Sequence, residues 1–175
     1  MKAPSPTEAQ LDAELASALR IRTEFAQWFL EQTKFRSEQA LCVLCRNDNP
    51  WSRVVSERLN PNSGAIEVLT KDRETDVLAV YETTDGRRLA LHIENKLEDG
   101  AFTPHQPESY QARLNQWRMR KKLGLYVDAT SVLVAPRAFY ERHLSAAQLF
   151  ESYVAHEDIA QFIEAFKRSG ASAAN

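Results

Sequence analysis

The segment from Arg73 to Arg113, RETDVLAVYETTDGRRLALHIENKLEDGAFTPHQPESYQAR, constrains the chain more than any other. Thr75–Glu82 and parts of Arg87–Leu97 are rich in β-branched and aromatic residues, which predicts two strands. Between them Thr84-Asp85-Gly86 supplies the chemistry of a three-residue hairpin loop, with Gly86 free to take a left-handed conformation. That loop sets Thr83 opposite Arg87, and so Asp76 opposite Glu94 and Glu74 opposite Lys96. Side chains alternate along a strand, so Glu94 and Lys96 point to one face, towards Asp76. Opposed carboxylates on neighbouring strands repel unless something positive lies between them, and a divalent metal together with Lys96 would supply it.

The order of these residues is that of a known core. Asp76, then Glu94-Asn95-Lys96 on the next strand, then Gln106 and Tyr110 on the following helix, resembles the PD-(D/E)XK nuclease superfamily. Thr75 stands where that family places a proline. The resemblance implies a restriction-endonuclease-like αβββαβ core and a nuclease activity that hydrolyses phosphodiester bonds, in DNA by expectation. It also implies Mg²⁺ or Mn²⁺ bound by Asp76, Glu94 and the backbone carbonyl of Asn95, all hard oxygen donors. Lys96 would orient the attacking water or stabilise developing charge, and Gln106 and Tyr110 would position substrate or water. Many members carry a first-helix acid that reaches the metal; the resemblance carries that role to Glu24, with Glu31 as the fallback, against the alternative of a solvated helix charge.

At 175 residues the chain is expected to form a single domain over 1–175, with 1–7 and 169–175 flexible. An apolar content of 43% and a charged content of 26% suit a globular protein, and no apolar run is long enough to span a bilayer. With no leader signature, cytoplasmic residence is the default expectation. The net charge of −2 neither advertises nor excludes a nucleic-acid partner, because local charge on one face decides that. Cys42 and Cys45 form a lone C-x-x-C among apolar neighbours; without a second pair they are expected to be buried helical thiols rather than zinc ligands.

Around the hairpin the pattern alternates helices and strands. A helix is expected over Glu8–Gln32 and a second over Phe35–Arg46; Trp51–Leu59 reads equally as strand or helix. Asn60–Gly64 is a turn, Ala65–Thr70 the first strand of the sheet, and Lys71–Arg73 a turn into the hairpin. Thr103-Pro104 opens a helix running to Met119 or Leu123. Its basic residues Arg113, Arg118, Arg120, Lys121 and Lys122, with interleaved aromatics, suit a phosphodiester backbone, or else form a solvated helix end. Ser131–Ala135 and Phe150–Val154 read as strands, and Phe139–Ala147 and His156–Lys167 as helices. The sum is an α/β fold with a mixed central sheet sandwiched by helices.

His92 shares the face of Glu94 in this register and serves either the metal chemistry or core packing; His105 lies in a loop near the same helix start. Other function classes remain beside the nuclease. One is a catalytically inactive nuclease-fold module that binds nucleic acid or a protein partner. Another is an assembly partner in a defence or mobile-element system. A homodimer is compatible with the nuclease reading, since cutting both strands calls for two sites.

Overall fold

The computed structural model describes residues 5–169, so the expectations for residues 1–4 and 170–175 lie outside the described residues. The chain starts with two helices, α1 (Glu8–Ile21) and α2 (Thr23–Glu31). Thr7 caps α1 reciprocally: its hydroxyl accepts from the Gln10 amide at 3.3 Å, and its amide donates to Gln10 Oε1 at 2.9 Å. Two donors that a helix start leaves open are thereby satisfied. The single helix expected over Glu8–Gln32 breaks at Arg22, which is extended (φ −113°, ψ 91°) and donates to the Phe162 carbonyl at 2.7 Å. No glycine or proline marks this break. A contact 140 residues away in sequence accompanies it, which local propensity cannot register.

The remaining elements are β1 (Ala40–Arg46), β2 (Trp51–Leu59), β3 (Ile66–Glu74), β4 (Val77–Thr83), β5 (Arg88–Asn95), α3 (Gln106–Gln116), β6 (Asp128–Ala135), α4 (Arg137–Arg142), α5 (Leu144–Ala147), β7 (Ser152–Ala155) and α6 (His156–Ile159), with 3₁₀ turns at Lys121–Leu123 and Glu164–Arg168. Five strands form one sheet in the order β1-β4-β5-β6-β7. The pairs β1/β4 and β4/β5 are antiparallel, and β5/β6 and β6/β7 parallel. This is a mixed α/β sheet flanked by helices, as the sequence pattern predicts.

Both faces of the sheet are covered. Val77, Ala79, Tyr81, Leu89, Leu91 and Ile93 pack with Leu11, Leu15, Phe25 and Phe29 of α1 and α2. On the opposite face Leu78, Val80 and Ala90 meet Leu114, Trp117 and Tyr126, and Leu133 and Ala135 meet Tyr110, Phe139 and Phe150. Double coverage is why β4, β5 and β6 read as nearly unbroken apolar runs. The β4–β5 register is the one the loop dictates: Val77 pairs with Ile93 and Glu82 with Arg88. The Thr83 amide donates to the Arg87 carbonyl at 2.9 Å, and Gly86 takes φ +80°.

Several expectations are corrected. The predicted helix over Phe35–Arg46 is instead strand β1, which pairs with β4 through an irregularity between Cys42 and Leu44. Without this strand β4 would present an unpaired edge. Cys42 and Cys45 are therefore free thiols on a strand, half-buried and buried respectively. Trp51–Leu59 resolves as strand, and Ala65–Thr70 belongs to β3, which pairs with β2 in a separate two-stranded ribbon rather than in the main sheet. Lys71–Arg73 continues β3 instead of turning, and Glu74 pairs with Trp51, not Lys96. The helix after Pro104 stops at Gln116. Phe139–Ala147 divides into α4 and α5, and His156–Lys167 into α6 and a 3₁₀ turn. Ser169 is buried and hydrogen-bonded, not frayed. Among the described residues no helix is long and apolar enough to cross a membrane.

Candidate active site

The predicted cluster assembles at one end of β5. Lys96 Nζ donates to Glu94 Oε1 at 2.6 Å, and both side chains are buried. Gln106 Nε2 donates to the same oxygen at 2.5 Å, and Tyr110 donates its hydroxyl to Glu94 Oε2. Three donors thus hold one carboxylate, which fixes its rotamer and offsets the cost of burying its charge. Asp76, one residue before β4, lies beside this group and accepts the Asn95 amide at Oδ2, 2.9 Å away. Burial first, then the charge of Glu94, push the Asp76 carboxyl up to about 8, against the opposing pull of the Asn95 amide and Lys96. Burial disfavours the Lys96 ammonium, but Glu94, with help from Glu8 and Asp76, outweighs it and holds the lysine above its ordinary range.

Tyr110 owes its position to three neighbours. Arg113 stacks over its ring at 3.8 Å, Thr75 Oγ1 lies 3.2 Å from its hydroxyl, and Phe150 tilts against it at 5.0 Å. Burial, then the nearby Glu94 charge, raise the phenol well above its ordinary range, so it stays a donor. Thr75, fully buried, also donates to the Ile93 carbonyl at 3.1 Å, tying the segment that leads into β4 to β5. Arg113 donates to the Glu74 carbonyl and to Ser109 Oγ (2.8 Å) and is buried. The sequence treats it as a surface cation, whereas the fold packs its guanidinium over Tyr110 at the side of the neighbouring cleft. Arg118, Arg120, Lys121 and Lys122 are exposed.

The first-helix acid is also corrected. Glu24 is exposed on α2 and lines a cleft with Gln161 and Phe162, while Glu31 accepts from Gln27 at 3.2 Å. Neither is among the main charges acting on Asp76 or Lys96. Asp12 of α1 takes that place. It is buried, accepts from Asn95 Nδ2 at 2.9 Å, and is pushed up to about 6 by burial and by Glu8 and Glu94, the Asn95 bond and Lys96 opposing. Glu8, one turn earlier, accepts the Leu97 amide at 3.2 Å. The signal was present: Asp12 lies inside the stripe Leu11, Leu15, Leu19, and an acid on the apolar side of a helix has to find a polar partner.

Asn95 itself faces away from Glu94 and joins a second buried chain. Its Oδ1 lies 2.8 Å from His156 Nε2, and His156 Nδ1 lies 2.7 Å from Ser169 Oγ. His92 shares the Glu94 face as expected, yet it bonds the Tyr126 hydroxyl (2.8 Å) against Trp117 and serves packing. His105 is exposed at φ +61°, immediately before α3.

Two carboxylates and a backbone carbonyl are donors of the kind a hard divalent cation takes, and Mg²⁺ is commonly held by one or two carboxylates completed by water and phosphate. Among the described residues no group of three or more His, Cys, Asp and Glu side chains is placed to hold a metal ion unaided. No family model, curated protein or solved structure matches the chain.

Proposed function

We propose that the chain is a metal-dependent nuclease, hydrolysing phosphodiester bonds in nucleic acid, DNA by preference. The observation that carries this reading is the Lys96–Glu94 contact of 2.6 Å beside the half-buried Asp76, two acids and an ammonium gathered at the ends of adjoining strands. So many ionisable groups are costly to bury, and such perturbed clusters concentrate at functional sites. Mg²⁺ or Mn²⁺ on Asp76, Glu94 and the Asn95 carbonyl would supply the positive charge that activates water and neutralises phosphate. Lys96, kept protonated, places a donor where charge develops on a phosphoryl oxygen. Gln106 and Tyr110 fix the Glu94 rotamer, so its carboxylate does not reorganise during reaction. Asp12, through Asn95, steadies the strand that carries both.

A second reading has its own support. Both Glu94 oxygens already have donors, and among the described residues no three His, Cys, Asp or Glu side chains are placed to hold a metal ion, which suits an inactive module whose polar cluster is self-satisfied. Incubation with plasmid, linear duplex, single-stranded DNA and RNA in Mg²⁺, Mn²⁺ or EDTA separates the two. The hydrolase reading expects cation-dependent cutting that Lys96→Gln and Glu94→Gln reduce by about 10²-fold or more, with circular dichroism unchanged. Undiminished cutting in either folded variant overturns it, and absence of both cutting and Mg²⁺ binding by calorimetry favours the binding module.

A further inference from the structure

Beside the candidate site lies a cleft of about 420 Å³ that the catalytic reading leaves unused. It is lined by Gln106, the residue bonded to Glu94, and by Trp51 and Asp72–Glu74 at the foot of the β2–β3 ribbon. Trp51 lines it and is 53% exposed, a large cost for the biggest aromatic side chain unless something covers it. Lys122 Nζ stands 4.3 Å from the Trp51 ring centroid. The exposed basic run Arg120-Lys121-Lys122 and the exposed indole, far apart in sequence, therefore form one surface.

The ribbon foot is held firmly. Val54 is buried against the α3 side of the sheet, and Gln116 both donates to the Val55 carbonyl (2.6 Å) and accepts its amide (2.9 Å). Charge within the cleft is mixed: Arg73 and Arg113 line it together with Glu74 and with Asp72, which is paired to Arg53 at 3.3 Å. A carboxylate there repels a phosphate, yet it can accept from an N–H of an unpaired base, whether an exocyclic amino group or the N3–H of thymine. A duplex would bring its phosphates into the cleft. A single strand can keep its phosphates on Arg120–Lys122 and turn its bases inward.

We propose that this cleft receives an unpaired nucleic-acid strand, one base stacking on Trp51 and the adjoining phosphate held by Lys122, so that the strand runs on to Glu94 and Lys96. This deepens the nuclease reading and rests on it, since it names single-stranded nucleic acid as the substrate form. Base–aromatic stacking is tolerant of sequence and pairs naturally with a basic track.

The test is fluorescence anisotropy of the full chain in EDTA, with a labelled oligothymidylate and a labelled hairpin duplex as probes. Trp51→Ala is expected to weaken oligothymidylate binding about tenfold and duplex binding by less than about twofold. Trp51→Phe keeps a stacking face and is expected to stay within about threefold of wild type. Lys122→Ala is expected to lower the salt slope by about one. Trp51 is exposed, so melting temperatures should match wild type in each case. A Trp51→Ala variant that binds the oligothymidylate as tightly as wild type overturns the inference and leaves the hydrolase reading standing, provided wild type cuts. A wild-type chain that neither binds nor cuts any nucleic acid overturns both.

Discussion

Among the described residues two antiparallel hairpins of similar size stand in opposite circumstances. β4–β5 is buried on both faces, Val77 to Tyr81 and Leu91 to Asn95 being at or near zero exposure apart from a trace at Glu94. In β2–β3 the inner half is anchored by Ser52 and Val54, while Val55, Leu59, Ile66 and Val68 are 47–67% exposed. A two-stranded hairpin alone is marginal in water, so the ribbon depends on its foot. The central hairpin, by contrast, is fixed by everything around it, which allows it to hold Asp76, Glu94 and Lys96 in place. The lesson is one of division: the rigid hairpin carries the charges, and the protruding one is left with surface for a partner.

The widest gap between them should appear in core truncation. Leu91→Ala is expected to cost about 2–5 kcal/mol, read as a lower urea midpoint or melting temperature. A loss below about 1 kcal/mol would mean that the central hairpin is not the rigid one.

Acid should be the next largest effect, and it also falls on the central hairpin. Burial first, then Arg113, push His92 down to about 3, and burial does the same to His156. A histidine held neutral in the fold but able to charge near 6.5 when unfolded contributes stability that is complete above 6.5. That contribution drains away as pH falls towards 3, on the order of a few kcal/mol. His92→Gln should flatten this slope in melts from pH 7 to 4; an unchanged slope would place the sensitivity elsewhere.

Asp76 runs the opposite way. Its carboxyl, raised to about 8, favours folding fully below the unfolded value near 3.8 and loses that contribution as pH rises through 8. Asp76→Asn keeps an acceptor for the Asn95 amide and sheds the charge, so it should stabilise the metal-free protein at pH 8 by about 1 kcal/mol. The same variant should lose activity. A destabilised Asp76→Asn would contradict the picture of a strained carboxylate pair.

Smallest of all should be a change on the outer ribbon. Leu59→Ser is expected to alter stability by less than about 0.5 kcal/mol, and amide exchange near Leu59 should be much faster than at Leu91. Slow exchange at Leu59 would show that the ribbon is covered in solution.

The central hairpin was legible because its register depends on a loop only three residues long and on alternation, both local properties. Asp76, Glu94 and Lys96 follow from it, whereas Gln106 and Tyr110, on the helix beyond, were expected only through the resemblance those residues carry. β1 was not legible: Cys42-Val43-Leu44 is short, apolar and compatible with helix or strand, and what decides it is the open edge of β4. Arg113 reads as a surface cation until the fold buries it over Tyr110. Glu24 and Asp12 lie on adjacent helices, and the break at Arg22, which separates α2 from α1, was invisible without the Phe162 carbonyl that accompanies it.

Sequence alone determined which acids and which lysine share a face, because strand periodicity and a glycine-closed loop are set within two dozen residues. Tertiary structure decided which helix acid joins them, which arginine is buried and where the ribbon stands. Those outcomes turn on contacts between segments distant in the chain, whose free energy exists only once the core has formed.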